Sequence, residues 1–335
     1  MQILPVVDLQ ALAAGPARAE AEARRLDLAC RELGIFEVVG HDVPPALCRE
    51  LFAVTREFFA LPPEVKARVA QPSPDQVRGW SGLGSEGIAY SLDEESPADL
   101  KEKMDMGPPP RVGPDGAVYR PADSGPHLAD NIWPESPARM PALWGEYYAH
   151  MTRVSAGLME LCARAYGLQP DHFADKYDRA ISMLRALYYP EQPEAPLRGQ
   201  MRAGVHTDYG TFTLLTAEDR PGGLEVLDPT GAWSQVPMAP GRFVAMVGDL
   251  FAEWTADTWT STLHRVTNPA RSHALDSSRL AFAFYDHPNY DVHVDVLEPF
   301  RDADEPPATT PLTSGDHLRQ KYLRQTTFGR REAGL

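Results

Sequence analysis

The chain has 335 residues, 43% hydrophobic and 24% charged, and its 32 Lys and Arg stand against 47 Asp and Glu for a formal net charge of −15. That balance argues against a basic surface for nucleic acid or anionic lipid, and the length allows a deep core without a metal or disulfide to hold it. The 32 prolines and 25 glycines interrupt helices and central strands, so many short elements joined by turns are expected rather than a long-helix bundle.

Ile3–Leu9 is an apolar strand candidate, and Ala17–Leu33 has apolar positions at helical spacing, closed by Gly34. Ile35–Val39 follows as a strand. Pro45–Phe59 and Pro63–Val69 read as helices with Pro in the first turn. The Pro- and Gly-rich stretch from Gly107 to Pro126 is loop. Met140–Gly167 carries the longest helical pattern. From Ile181 to Val296 short apolar runs alternate with turns: Met183–Tyr189, Phe212–Thr216, Leu224–Leu227, Phe243–Val247 and Leu280–Tyr285. That spacing predicts a β-sandwich or barrel. A last helix falls near Asp316–Thr326. The basic residues around it (Arg319, Lys321, Arg324, Arg330, Arg331) read as its solvated face. Cys30, Cys48 and Cys162 are few and unpatterned, as buried thiols in a reducing compartment would be. The first 15 residues lack a secretory pattern and no run approaches a membrane span, so a cytoplasmic location is expected.

His206-Thr207-Asp208 precedes the run Phe212–Thr216. On extended backbone, residues two apart project to the same side, so His206 and Asp208 can reach one metal ion. His264, in Thr262-Leu263-His264-Arg265-Val266, is the candidate third ligand. Two imidazoles and a carboxylate on one face of an octahedral ion leave three positions open, the set that suits non-haem Fe(II). A His-x-Asp alone is weak: Val292-His293-Val294-Asp295 is a second one and reads as an exposed strand face. Gly82, Gly84 and Gly87 form a Gly-x-Gly-x-x-Gly, but no strand–turn–helix context surrounds it, so a mouth loop is preferred to a nucleotide site. Gly-x-Ser-x-Gly is absent, and a serine nucleophile has no support.

The stretch from His206 to Tyr285 resembles the iron- and 2-oxoglutarate-dependent dioxygenases, in the isopenicillin N synthase-like branch. The likeness is carried by His206-Thr207-Asp208-Tyr209-Gly210, Phe212–Leu215, Gly222–Val226, Trp233, Pro240-Gly241, Gly248-Asp249-Leu250, Trp254-Thr255 and Ser261–Val266. Upstream, Ile3–Leu9, Gly34-Ile35-Phe36, Phe58-Phe59 and Asn131–Pro134 match the family's N-terminal region in the same order. The resemblance implies a mainly β fold with flanking helices: a double-stranded β-helix, or jelly roll. It implies a single catalytic domain over 1–335, with residues 1–110 wrapping a core at 180–296. His206, Asp208 and His264 would hold Fe(II), 2-oxoglutarate would be cosubstrate and O₂ the oxidant.

In that family an Arg-x-Ser on a late strand pairs the distal carboxylate of 2-oxoglutarate. Here Arg279 is in place and Ala281 stands at the Ser position. Alternation puts Arg279, Ala281, Ala283 and Tyr285 on one face and Leu280, Phe282 and Phe284 on the other. The second cosubstrate feature is an Asn-x-Tyr strand, read here as Arg185-Ala186-Leu187-Tyr188-Tyr189-Pro190, with Tyr189 kept and Leu187 replacing the Asn. Arg185 shares Tyr189's face, and an inward guanidinium requires either a substrate carboxylate or a protein acid. Arg78, in Arg78-Gly79-Trp80, resembles the family's approach to the active-site mouth.

The implied reaction is hydroxylation, desaturation or ring closure of a small molecule, coupled to decarboxylation of 2-oxoglutarate to succinate, in secondary metabolism. No nucleic acid, membrane or obligate protein partner is implied. Ala281 and Leu187 keep open a 2-oxoglutarate-independent oxidase or cyclase, or an ethylene-forming enzyme. A metal-holding jelly roll without turnover is a reading from a different class. Substrate selection is expected from Gly79–Leu92 and the C-terminal helix.

Overall fold

The computed structural model of the chain describes residues 4–92, 96–112, 118–301 and 312–325. Ile3, Gly113–Gly116, Thr326, Arg330 and Arg331, which enter the sequence reading, lie outside these residues.

The N-terminal part contributes β1 (Val6–Asp8), α1 (Pro16–Glu32), β2 (Ile35–Val39), α2 (Pro45–Phe59), α3 (Pro63–Lys66), β3 (Gly79–Ser81) and β4 (Glu102–Met106). The long helix α4 (Met140–Ala165) and the short α5 (Ala174–Tyr177) lead to β5 (Met183–Tyr189). Then come β6 (Ala203–His206), β7 (Phe212–Ala217), β8 (Leu224–Leu227), β9 (Trp233–Gln235) and β10 (Phe243–Val247). The chain continues through α6 (Asp249–Trp254), β11 (His264–Val266), β12 (Arg279–Tyr285) and α7 (Ser314–Gln325). Pro stands in the first turn of α1, α2, α3 and α4, where a missing N–H costs nothing. Gly34, at φ +68°, ends α1 as expected, and a Cβ there would lie 1.9 Å from the Thr260 carbonyl oxygen.

Among the described residues the strands form two sheets. The large one runs β1-β2-β10-β7-β12-β5-β4-β3, the small one β6-β11-β8-β9. The strands of the N-terminal region therefore extend the same sheet as β5, β7, β10 and β12. Alternation along β12 divides that sheet as the sequence predicts. Leu280, Phe282 and Phe284 pack with Phe58, Trp144 and Tyr147 of α2 and α4. Ala281 and Ala283 join Leu187, Leu215 and Met246 against Leu224 and Val226 of the small sheet. Bulky residues thus seal the helix side, and small ones leave room between the sheets. This is the jelly roll with flanking helices. The run Ala203–His206, not anticipated as a strand, supplies one edge of the small sheet. Of the three thiols, Cys30 and Cys162 are buried as expected, but Cys48 is only half-buried. No described helix is long and apolar enough to cross a membrane.

Candidate metal centre and active site

His206 and His264 sit directly opposite each other on β6 and β11, with ring centroids 4.1 Å apart. Asp208 follows in the turn after β6, its Oδ1 3.9 Å from His206 Nε2 and its Oδ2 3.7 Å from His264 Nε2. One ligand atom from each of the three lies within 4.8 Å of the others, and all three residues are buried. The turn after Asp208 needs a residue without a side chain: a Cβ on Gly210 would stand 2.1 Å from the Asp286 carbonyl oxygen.

The local hydrogen bonds prepare this set for a cation. His206 Nδ1 meets the Gly204 carbonyl at 2.8 Å and His264 Nδ1 the Thr262 carbonyl at 3.0 Å. A carbonyl only accepts, so both Nδ1 atoms carry the proton and both Nε2 lone pairs face the ion position. Asp208 Oδ2 is buried and accepts no hydrogen bond among the described residues. Burial, reinforced by His264, pushes the His206 imidazole below its usual range, and burial pushes the Asp208 carboxyl up. A divalent ion supplies the positive charge that this site lacks, and the donor set fits Fe(II).

The cavity containing these ligands lies between the sheets and is walled by apolar side chains, among them Leu187, Leu215, Leu224, Met246 and Val266. Arg279 and Tyr189 line it too and are register partners across β12 and β5. Arg279 is 6% exposed. Its Nη1 donates to the Gly222 carbonyl at 2.5 Å, and among the described residues no acid forms an ion pair with it. Burial lowers its pKa by more than Tyr189, Asp219 and Glu218 raise it. The two departures from the family pattern face each other, because Ala281 pairs with Leu187. Two hydrogen-bonding groups are thereby replaced by one small apolar patch of wall.

A chain of alternating buried charges, not foreseen in the sequence, runs beside the metal site. Lys101 Nζ lies 2.5 Å from Asp99 Oδ2 and 3.1 Å from Glu86 Oε1. Lys103 Nζ lies 2.8 Å from Glu86 Oε2 and 3.5 Å from Asp105 Oδ2. Arg185 Nε then reaches Asp105 Oδ1 at 2.6 Å. None of the six is more than 3% exposed. Three acids meet three bases, so the row is neutral overall. Burial alone would raise Glu86, but Lys103 and Lys101 hold it well below the usual carboxylate range. Asp99 also accepts from the Gly204 N–H at 3.0 Å. It thereby fixes the residue whose carbonyl orients His206.

Of the other predicted positions, Arg185 lines the cavity with a protein acid, Asp105, as its counter-ion. Arg78 is not among the cavity-lining residues. It is buried, donating to the carbonyls of Val77 at 2.7 Å and His127 at 2.6 Å, and so ties loops together instead of facing the mouth. His293 is exposed and outside the metal cluster. Arg202 is a position that sequence reasoning does not find: it is fully buried, and it bonds the carbonyls of Pro221, Pro190 and Ser277. No spacing marks such a residue, since its partners are backbone.

A jelly roll with two histidines on facing strands of one sheet and a carboxylate just beyond one of them defines a non-haem iron oxygenase. Comparison with known proteins narrows this. Residues 4–136 match the family described as non-haem dioxygenase in morphine synthesis N-terminal, and residues 180–288 match the 2OG-Fe(II) oxygenase superfamily. The chain is 35% identical to validamycin A dioxygenase of Streptomyces hygroscopicus subsp. limoneus, over 80% of this chain and 73% of that one. It is 33% identical to a proline hydroxylase of Petromyces alliaceus, over 93% and 95%. The crystal structure of a full-length Neurospora crassa protein in complex with alpha-KG superposes with a TM-score of 0.81 at 26% identity, covering 95% of each chain. The complex of that protein with both alpha-KG and thymine gives 0.80 at 25%, covering 95% of this chain and 96% of that one. The chain belongs to the iron(II)- and 2-oxoglutarate-dependent oxygenases, and it is an enzyme of that family. When bound here, Fe(II) supplies activation of O₂ coupled to decarboxylation of 2-oxoglutarate.

Proposed function

We propose that this enzyme hydroxylates an aliphatic C–H bond of a small molecule, with Arg279 as anchor for the distal carboxylate of 2-oxoglutarate. The observation that carries the cosubstrate role is Arg279 itself: a buried guanidinium in the metal-bearing cavity, held by a carbonyl and matched by no acid among the described residues. A guanidinium in such surroundings favours a carboxylate strongly over a neutral group. Tyr189, its register partner on β5, lines the same cavity and would flank the cosubstrate there. Hydroxylation, rather than desaturation or ring closure, draws support from the proline hydroxylase among the relatives. The apolar walls exclude water from the reacting atoms, and His206 and His264 keep fixed tautomers throughout because their Nδ1 protons are bound to backbone.

Because Arg279 forms no ion pair with an acid among the described residues, a cosubstrate-independent oxidase is disfavoured. Anaerobic addition of Fe(II) and 2-oxoglutarate tests the reading directly. A visible charge-transfer band is expected in the wild type and none in His206→Ala. A wild-type protein without the band contradicts the proposal.

A further inference from the structure

Next to the metal cavity, and sharing Ile88, Arg185, Asp208 and Tyr285 with it, lies a second compartment closed by the last turn of α7. Its other walls include Tyr209, Tyr322, His287 and Gln325. Gln325 is 1% exposed. Its Oε1 accepts from the Tyr209 hydroxyl at 3.0 Å and its backbone carbonyl accepts from the Gly87 N–H at 3.0 Å. Its Nε2 has no hydrogen-bond partner among the described residues. Leaving a buried amide donor unpaired carries the full cost of its desolvation. Such a donor calls for a partner that the described residues do not supply.

The charges around this compartment are already balanced. Arg185 is paired with Asp105, whose other neighbour Lys103 is shared with Glu86. Asp208 is a metal ligand. Burial pushes His287 down to about 3, so its ring is neutral. An amino-acid zwitterion brings a carboxylate and an ammonium, and each would be buried here without a counter-charge. A neutral molecule bearing a carbonyl oxygen brings neither charge and offers the acceptor that Gln325 lacks.

We propose that the primary substrate is a neutral, carbonyl-bearing molecule such as an amide or imide, and that the Gln325 Nε2 donor is the specificity-determining group that reads one of its carbonyls. This rests on the iron and 2-oxoglutarate reading above and deepens it.

The test uses the full chain loaded anaerobically with Fe(II) and 2-oxoglutarate, with the visible band as readout. Thymine, uracil and 2-pyrrolidinone are the neutral probes; L-proline and L-homoarginine are the charged ones. At least one neutral probe is expected to shift the band, and the amino acids are not. Gln325→Glu keeps the shape and the oxygen but removes the donor, and should weaken that neutral probe about tenfold. Gln325→Asn, which retains the amide, should weaken it less. The proposal is overturned if only the amino acids shift the band, if no neutral probe does, or if Gln325→Glu binds the neutral probe as the wild type does. Failure of the band to form before any probe is added defeats the underlying reading, and the inference with it.

Discussion

Two parts of this molecule bury charge in opposite ways. Along Asp99, Lys101, Glu86, Lys103, Asp105 and Arg185, every acid touches a base, and the row closes on itself as a neutral unit. In the cavity beside it, and among the described residues, no lysine or arginine pairs with Asp208, which has only His206 and His264 as ion-pair partners, and no acid forms an ion pair with Arg279. The physical cost of burial is similar in both places, but only in the second is it left for a ligand to offset. Balanced charge marks scaffold; unbalanced charge marks where a cation and a carboxylate bind. The difference separates Arg185 from Arg279, although both are inward arginines on neighbouring strands.

The contrast can be broken from either side. The largest effect is expected at the ligands: His206→Ala should eliminate iron binding and turnover together, read by metal content and succinate release. In the balanced row, Lys103→Met leaves Glu86 and Asp105 short of a partner. It should lower folding stability by about 3–5 kcal/mol, measured by urea unfolding. Pairing it with Glu86→Leu should recover part of that loss, because a buried pair removed together leaves fewer orphans. Asp99→Asn weakens the hold on Gly204, whose carbonyl orients His206. A fall of about 10–100-fold in iron affinity is expected by metal titration, the size usual for groups that orient a metal ligand.

A further contrast concerns the neutral histidines under α7. Burial pushes His127 down to about 4 and His287 down to about 3. Folded values below the unfolded one mean that stability is full above about pH 6.5 and is lost as pH falls from there toward the folded values. Each histidine contributes up to about 1.4 kcal/mol per pH unit in that window. His287→Gln should flatten the acid side of a stability–pH profile; an unchanged slope would show that this ring is not held neutral.

Much of the fold was legible because its signals are local. Met183–Tyr189, Phe243–Val247 and Pro45–Phe59 coincide with the observed elements, each being an apolar run or helical pattern bounded by turn residues. The division of β12 into a helix-facing and a cavity-facing side followed from alternation alone. The metal ligands were legible through a motif and its spacing. The charge row was not, because Lys101, Lys103 and Asp105 alternate as a solvated strand face would, and their partners Glu86 and Arg185 arrive from distant segments. Arg78 was misplaced for the same reason: nothing near it announces the carbonyls of Val77 and His127. Gln325 ends a polar helix, and only the folded chain shows that its amide faces inward.

The distinction between matched and unmatched charge is tested most directly by comparing 2-oxoglutarate with 2-oxopentanoate, which lacks the distal carboxylate. Both would be titrated anaerobically into the Fe(II)-loaded wild type and Arg279→Ala. The wild type should prefer 2-oxoglutarate by about thirtyfold or more, as expected for a buried charge pair, and Arg279→Ala should erase that preference. Equal affinities in the wild type, or a preference that survives the substitution, would contradict the assignment of Arg279 as the unmatched cation that holds the cosubstrate.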